Sequence, residues 1–253
     1  MASLGLAENR LKMSTTTSTQ NSGLLSVLLP PFEKAYKCKV DVIAVGTGKA
    51  LKLGANGDVD IVFVHARPAE DKFVAEGYGV DRRDVMYNDF VIVGPKSDPD
   101  GLKQAKSAVD AFKRLTKGKA PFISRGDDSG TNKKEKQLWK AAGIKPSGKW
   151  YLEAGQGMGA VLQMADNKKG YTLTDRGTYI AYEGKVDLVI LNQGDKALFN
   201  PYGIIAVNPK KYPSANFKCA EKFINWVTGP EGQKIIGSYK KKGKQLFFPD
   251  ATK

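Results

Sequence analysis

The chain has 253 residues, 41% of them apolar and 26% charged, which excludes a disordered, collagenous or disulfide-stapled miniature protein and leaves room for one large domain or two modest ones. Forty Lys and Arg against 26 Asp and Glu give a formal charge of +14, so the partner classes to weigh are nucleic acid, an anionic membrane surface and a small anion. The basic residues are scattered, with runs only at Lys133-Lys134 and Lys240-Lys241-Lys242, so they read as solvated surface and not as a nucleic-acid-binding face.

In chain order, Leu11–Thr15 reads as a strand, Gly23–Tyr36 as an amphipathic helix and Lys39–Val45 as a β-branched strand. Ala50–Leu53 fits a short helix, Asp60–Val64 a buried strand and Ala69–Glu76 a helix, which makes βαβαβ, the mark of a mostly parallel sheet with helices on its faces. Val85–Pro95 is a long, nearly unbroken extended run. A helix near Ala108–Thr116, a strand Pro121–Ser124 and helices Thr131–Ala142 and Met158–Lys168 follow. Then come a strand Tyr171–Leu173, a helix Asp175–Glu183, a strand Asp187–Leu191 and a second extended run, Tyr202–Val207. Helices Ala215–Val227 and Pro230–Tyr239 finish the chain. Two α/β groups joined by two extended crossings predict two lobes: 11–88 with 203–253, and 89–202. The crossings lie near 88–94 and 194–204, and clefts between such lobes are favoured ligand sites.

Cys38 and Cys219 form no CxxC pair, and a single histidine is too few for a zinc cluster. They read as two isolated buried thiols, with a disulfide as the alternative. No stretch approaches the ~20 apolar residues needed to span a bilayer. Met1 to Arg10 lacks a basic segment followed by an apolar one, so the expectation is either a cytoplasmic protein or a mature form whose signal has been removed.

Three segments carry chemistry. Ser14-Thr15-Thr16-Thr17-Ser18-Thr19 follows the first strand and precedes a helix; one cap needs one hydroxyl, and here are six. Free N–H groups and a positive dipole end suit an anion there. Ser124-Arg125-Gly126-Asp127-Asp128-Ser129-Gly130-Thr131 again joins a strand to a helix. Ser129 and Thr131 offer hydroxyl donors, Gly126 and Gly130 allow close approach, and the planar fork of Arg125 matches two oxygens of one oxyanion. The bland alternative is a surface pair of Arg125 with Asp127 or Asp128. Val45-Gly46-Thr47-Gly48 is a third turn; it lacks the GKS or GKT ending of a nucleotide P-loop. His65, at the end of DIVFV, has no nucleophile pattern beside it and reads as a supporting residue, while Thr172 and Thr174 read first as strand and cap positions. No acid–base pair stands out, which points away from an enzyme.

Taken together, STTTSTQNSGLL, VGTGKAL, DIVFVHA, NDFVIVGP, SRGDDSGTNKKE and GYTLTDRGTY make the chain similar to the tungstate-binding proteins of bacterial ABC importers over about residues 11–250. That resemblance implies a two-lobe type II periplasmic-binding-protein fold, α/β with mixed, mostly parallel sheets. It implies a periplasmic or lipid-anchored monomer that binds tungstate, or molybdate, and docks on a membrane permease, with no cofactor, metal cation or catalytic residue. Carried over by position, the ligand contacts are Thr16, Thr17, Ser18 and Thr47 from the first lobe and Arg125, Ser129, Gly130 and Thr131 from the second. A phosphate-binding protein of the same fold, or an enzyme with a phosphate-binding cleft, is the alternative, because Asp127 or Asp128 could accept the proton that phosphate keeps. A regulator's sensing domain is disfavoured, since ten residues before the first strand are too few for a DNA-binding module.

Overall fold

The computed structural model describes residues 9–127 and 129–251, and the contacts within it group the chain into two units. One contains the chain up to Tyr87 and from Pro201 onward; the other is Asn88–Asn200.

The first unit opens with β1 (Asn9–Thr16), α1 (Thr17–Ser22), α2 (Leu24–Tyr36), β2 (Cys38–Val45), α3 (Thr47–Asn56), β3 (Ile61–Val64) and α4 (Arg67–Ala75). β1 lies between β2 and β3 and is parallel to both, with Thr16 level with Val45 and Thr15 level with Phe63. Because the three strands run the same way, the segments after Thr16, Val45 and Val64 all leave from one edge of the sheet. That carboxyl edge is where open α/β sheets place ligands. The threonines of β1 are used in building it: Ser14 Oγ donates to Ala50 O and Thr15 Oγ1 to Phe63 O. They are strand residues, so the hydroxyl run divides into a structural half and a half that projects beyond the sheet. The helix predicted at 23–36 is α2, and an additional short helix, α1, precedes it, separated from it by Gly23 at φ 86°. The short helix predicted at 50–53 extends over all of α3.

β4 (Gly79–Gly94) carries the chain into the second unit, where α5 (Ala108–Leu115), β5 (Phe122–Ser124), α6 (Gly130–Ala142), β6 (Tyr151–Glu153), α7 (Met158–Asn167), β7 (Thr172–Asp175), α8 (Arg176–Tyr182) and β8 (Val189–Asn192) follow. Phe90–Val93 pairs antiparallel with Thr172–Asp175, and β5 runs parallel to β6. A bridge between Phe122 and Tyr171 brings β5 beside the start of β7. Alternate residues of β4 serve two cores. Phe90 and Ile92 pack with Phe112, Phe122 and Trp139, whereas Val91 and Val93 pack with Ile123, Val161 and Leu162. A strand buried on both faces must be apolar at every position, which explains the unbroken run FVIV.

β9 (Phe199–Val207) returns to the first unit and pairs antiparallel with β3; α9 (Phe217–Val227), α10 (Pro230–Ser238) and the short strands β10 (Lys240–Lys241), β11 (Lys244–Gln245) and β12 (Phe248–Pro249) complete it. Cys38, the first residue of β2, is disulfide-bonded to Cys219 of α9, which overturns the expectation of isolated thiols. Both sulfurs lie in the core of one unit, and residues 181 positions apart can only be matched once the sheet has placed α9 across it. Among the described residues no helix is long and apolar enough to cross a membrane.

Candidate oxyanion-binding site

At the carboxyl edge of β1, Thr16 caps α1: its Oγ1 accepts the Thr19 N–H at 3.2 Å. The same oxygen lies 3.0 Å from Ser18 Oγ, 2.7 Å from Thr19 Oγ1 and 3.2 Å from His65 Nε2, and Ser18 Oγ is 3.3 Å from that nitrogen. Thr16 is buried while Thr17 and Ser18 are exposed, so the hydroxyls run from core to solvent. His65 follows β3, and its ring packs on Tyr202 with centroids 4.7 Å apart. Beside it, Ala66 N–H donates to the buried Glu70 carboxylate, which Arg82 neutralises at 2.8 Å. His65 Nε2 thus lies against both hydroxyls at the end of β1.

The neighbouring strand end is equally prepared. Gly46 stands before Thr47, the first residue of α3, and no side chain caps that helix. A Cβ added at Gly46 or Gly48 would meet nothing within 4 Å, so neither glycine is there for packing. Thr47 is half-buried.

In the second unit the site residues again follow a strand end. Arg125 comes directly after β5, and its terminal nitrogen pairs with Asp127 at 2.5 Å. Its Nε is buried and has no hydrogen-bond partner among the described residues. A buried guanidinium N–H left unpaired is costly, and donors of this kind are normally met. Burial works to raise the Asp127 carboxyl, but hydrogen bonds from Ser129 together with Arg125 outweigh it and hold the group below the usual range. Ser129 caps α6 by accepting the Asn132 N–H, and Gly130 and Thr131 form the first turn beyond it. Gly126 needs its φ of 60°, and a Cβ there would come within 2.9 Å of Glu153 Cβ. Asp128 lies outside the described residues.

Beneath this turn is a buried carboxyl that sequence reading did not single out. Glu135 accepts from Ser124 Oγ (2.6 Å), Trp139 Nε1 (3.0 Å) and Tyr151 Oη (2.8 Å), and Asn132 Nδ2 donates to Ser124. Burial pushes the Glu135 carboxyl up, against the pull of these donors. The network locks the end of β5 to the first turns of α6 and so sets where Arg125 begins. The loop Ala154–Gly157, at the carboxyl edge of β6 beside β5, was also missed. Gly157 precedes α7 with no side-chain cap, and a Cβ at Gly155 or Gly157 would meet nothing within 4 Å. β6 is three residues long, too short for a periodicity signal; two glycines two apart before an apolar helix were the available clue. Thr172 Oγ1 donates to Ile123 O and Thr174 Oγ1 to Asp175 O, so both hydroxyls are committed to backbone. Among the described residues no group of three or more His, Cys, Asp or Glu side chains could hold a metal ion.

Strand–turn–helix clusters of neutral donors, one of them with a cation, are chemically suited to an anion. Residues 7–231 match the PBP superfamily domain. The tungstate-binding protein TupA of Peptoclostridium acidaminophilum is 48% identical over 251 residues, which is 98% of this chain and 88% of that protein. This chain belongs to the TupA family of the PBP superfamily. The solved structure of the tungstate-binding protein TupA of Desulfovibrio alaskensis G20 superposes with a TM-score of 0.92 at 48% identity, covering 96% of this chain and all of that one. That of the tungstate ABC transporter from Geobacter sulfurreducens is 68% identical with a TM-score of 0.80, covering 92% of this chain and all of that one. Membership of the TupA family accounts for the α/β plan of the chain.

Proposed function

We propose that this protein binds tungstate outside the cytoplasm and delivers it to the membrane permease of an ABC importer without chemical change. The observation that carries the reading is Arg125, whose buried Nε lacks a partner among the described residues, in the turn that leads to Ser129, Gly130 and Thr131. Thr16, Thr17, Ser18 and Thr47 are the neutral donors assigned to the anion in this reading. A deprotonated tetrahedral oxyanion offers only acceptors, and burying it costs several kcal/mol unless they are met. Hydroxyl and backbone N–H groups meet them, and the guanidinium offsets charge. Phosphate keeps a proton near neutral pH and wants an acceptor; Asp127, the described candidate, already receives Arg125 and the Ser129 N–H. Placement outside the cytoplasm is supported by the Cys38–Cys219 disulfide, which persists in oxidising compartments.

Competition calorimetry with tungstate, molybdate, sulfate and phosphate tests this. Tungstate and molybdate, nearly equal in size and both unprotonated, are expected to bind far more tightly than sulfate or phosphate. Tighter binding of phosphate would overturn the reading.

The glycines give a further test. Gly48 lies in the first turn of α3, where alanine is the better helix former by up to about 1 kcal/mol. Gly48→Ala is therefore expected to hold or raise the melting temperature while weakening tungstate binding severalfold. Unchanged affinity would remove the VGTG turn from the site.

A further inference from the structure

His65 is the chain's one histidine, so it is the only side chain whose ordinary titration range falls between about pH 5 and 8. Its Nε2 lies within hydrogen-bond distance of two hydroxyls at once, Thr16 Oγ1 and Ser18 Oγ. The proton count at Thr16 is tight. Its oxygen has one proton and two lone pairs, and one lone pair is taken by the Thr19 N–H. Thr19 Oγ1, Ser18 Oγ and His65 Nε2 compete for what remains. If Nε2 carries no proton, it acts as an acceptor, and a hydroxyl proton turned toward it is lost to a ligand. If Nε2 carries a proton, it donates, and the hydroxyl protons are free to point elsewhere; the imidazolium always carries that proton, the neutral ring in only one of its two tautomers.

We infer that His65 is a proton-linked positioning residue, whose imidazolium donates to the Thr16–Ser18 pair, turns their protons toward the bound oxyanion and so makes capture stronger as pH falls. This rests on the oxyanion reading above. Among the described groups packed around it, the nearby charges of α4 are already paired. β1 and α1 present the hydroxyls of Thr16, Ser18 and Thr19, and β9 presents the ring of Tyr202. On α4, Glu70 is neutralised by Arg82 of β4, and Arg67 is paired with Asp71 at 2.7 Å. A dianion arriving at the hydroxyls adds the charge that favours imidazolium. The sign follows by linkage. Binding raises the affinity of His65 for its proton, so a proton is taken up on binding, and the dissociation constant falls as pH is lowered through the titration range.

The test is tungstate calorimetry on the full chain between about pH 6 and 8, where the anion itself stays deprotonated, in two buffers of different ionisation enthalpy. The wild type is expected to bind at least about threefold more tightly at the lower pH, with up to one proton taken up per anion. His65→Gln is expected to abolish both the slope and the uptake, and His65→Phe, which keeps a ring against Tyr202, to do the same. A merely structural histidine would lower affinity on substitution but show no slope in the wild type. Binding that is independent of pH, or a slope that persists in His65→Gln, overturns the inference and leaves the oxyanion reading standing. No tungstate binding at any pH overturns the oxyanion reading and this inference with it.

Discussion

Arg125→Ala is expected to raise the tungstate dissociation constant at least about tenfold, ~1.4 kcal/mol, and more if the lost bonds are fully charge-assisted. The guanidinium is the formal cation of the proposed site. Its Nε is buried and unpartnered among the described residues while another nitrogen is held by Asp127, so the ion pair aims the fork and leaves a donor to spare. Arg125→Lys should fall between wild type and alanine, because an ammonium restores charge without the planar pair of donors. Thr16→Ala and Thr131→Ala should each weaken binding less than loss of the arginine, since each removes one neutral donor. The Arg125–Asp127 pair is partly exposed, so the melting temperature of Arg125→Ala should move little. Calorimetry showing unchanged affinity would end the assignment of Arg125. An equal loss from either threonine would transfer the dominant role from charge to hydroxyls.

Removing the Cys38–Cys219 bridge is expected to cost about 2–5 kcal/mol of unfolding free energy. The upper figure comes from the chain-entropy estimate for a closed loop of 181 residues. For a chain of this length that corresponds to a fall in melting temperature of about 5–15 °C. Both cysteines are essentially inaccessible, so reductant reaches them only through opening of the unit. Cys38→Ala and Cys219→Ala are therefore the cleaner comparison, and calorimetry of both against the oxidised wild type measures the effect. Equal melting temperatures would show that the bridge does not constrain the unfolded chain. Tungstate affinity should change little, because neither cysteine belongs to the proposed site.

The donors at strand ends were legible in the residues because capping chemistry is local. A hydroxyl run after one strand and an Arg-Gly-Asp run after another announce themselves without knowledge of their neighbours. Ser14 and Thr15 show the limit of that reading, since local sequence cannot say how far β1 extends before its hydroxyls leave the sheet. Glu135 was illegible for a different reason. A glutamate on a helix of mixed polarity reads as solvated, and only the approach of Ser124, Tyr151 and Trp139 makes it the buried centre of a network. Gly155 and Gly157 went unread because β6 is too short to signal a strand end in front of them.

By itself the sequence determined the alternation of strands and helices, the apolar run of β4 and the hydroxyl-rich turns TTTS and SRGDDSGT, because each is written in the spacing of neighbouring residues. Tertiary structure alone decided which hydroxyls face a backbone carbonyl and which remain available. It decided that Cys38 meets Cys219, and that His65 stands between Thr16 and Ser18. These are contacts between residues 47 to 181 positions apart, and they exist only once parallel strands have carried distant segments to the same edge of the sheet, or across it.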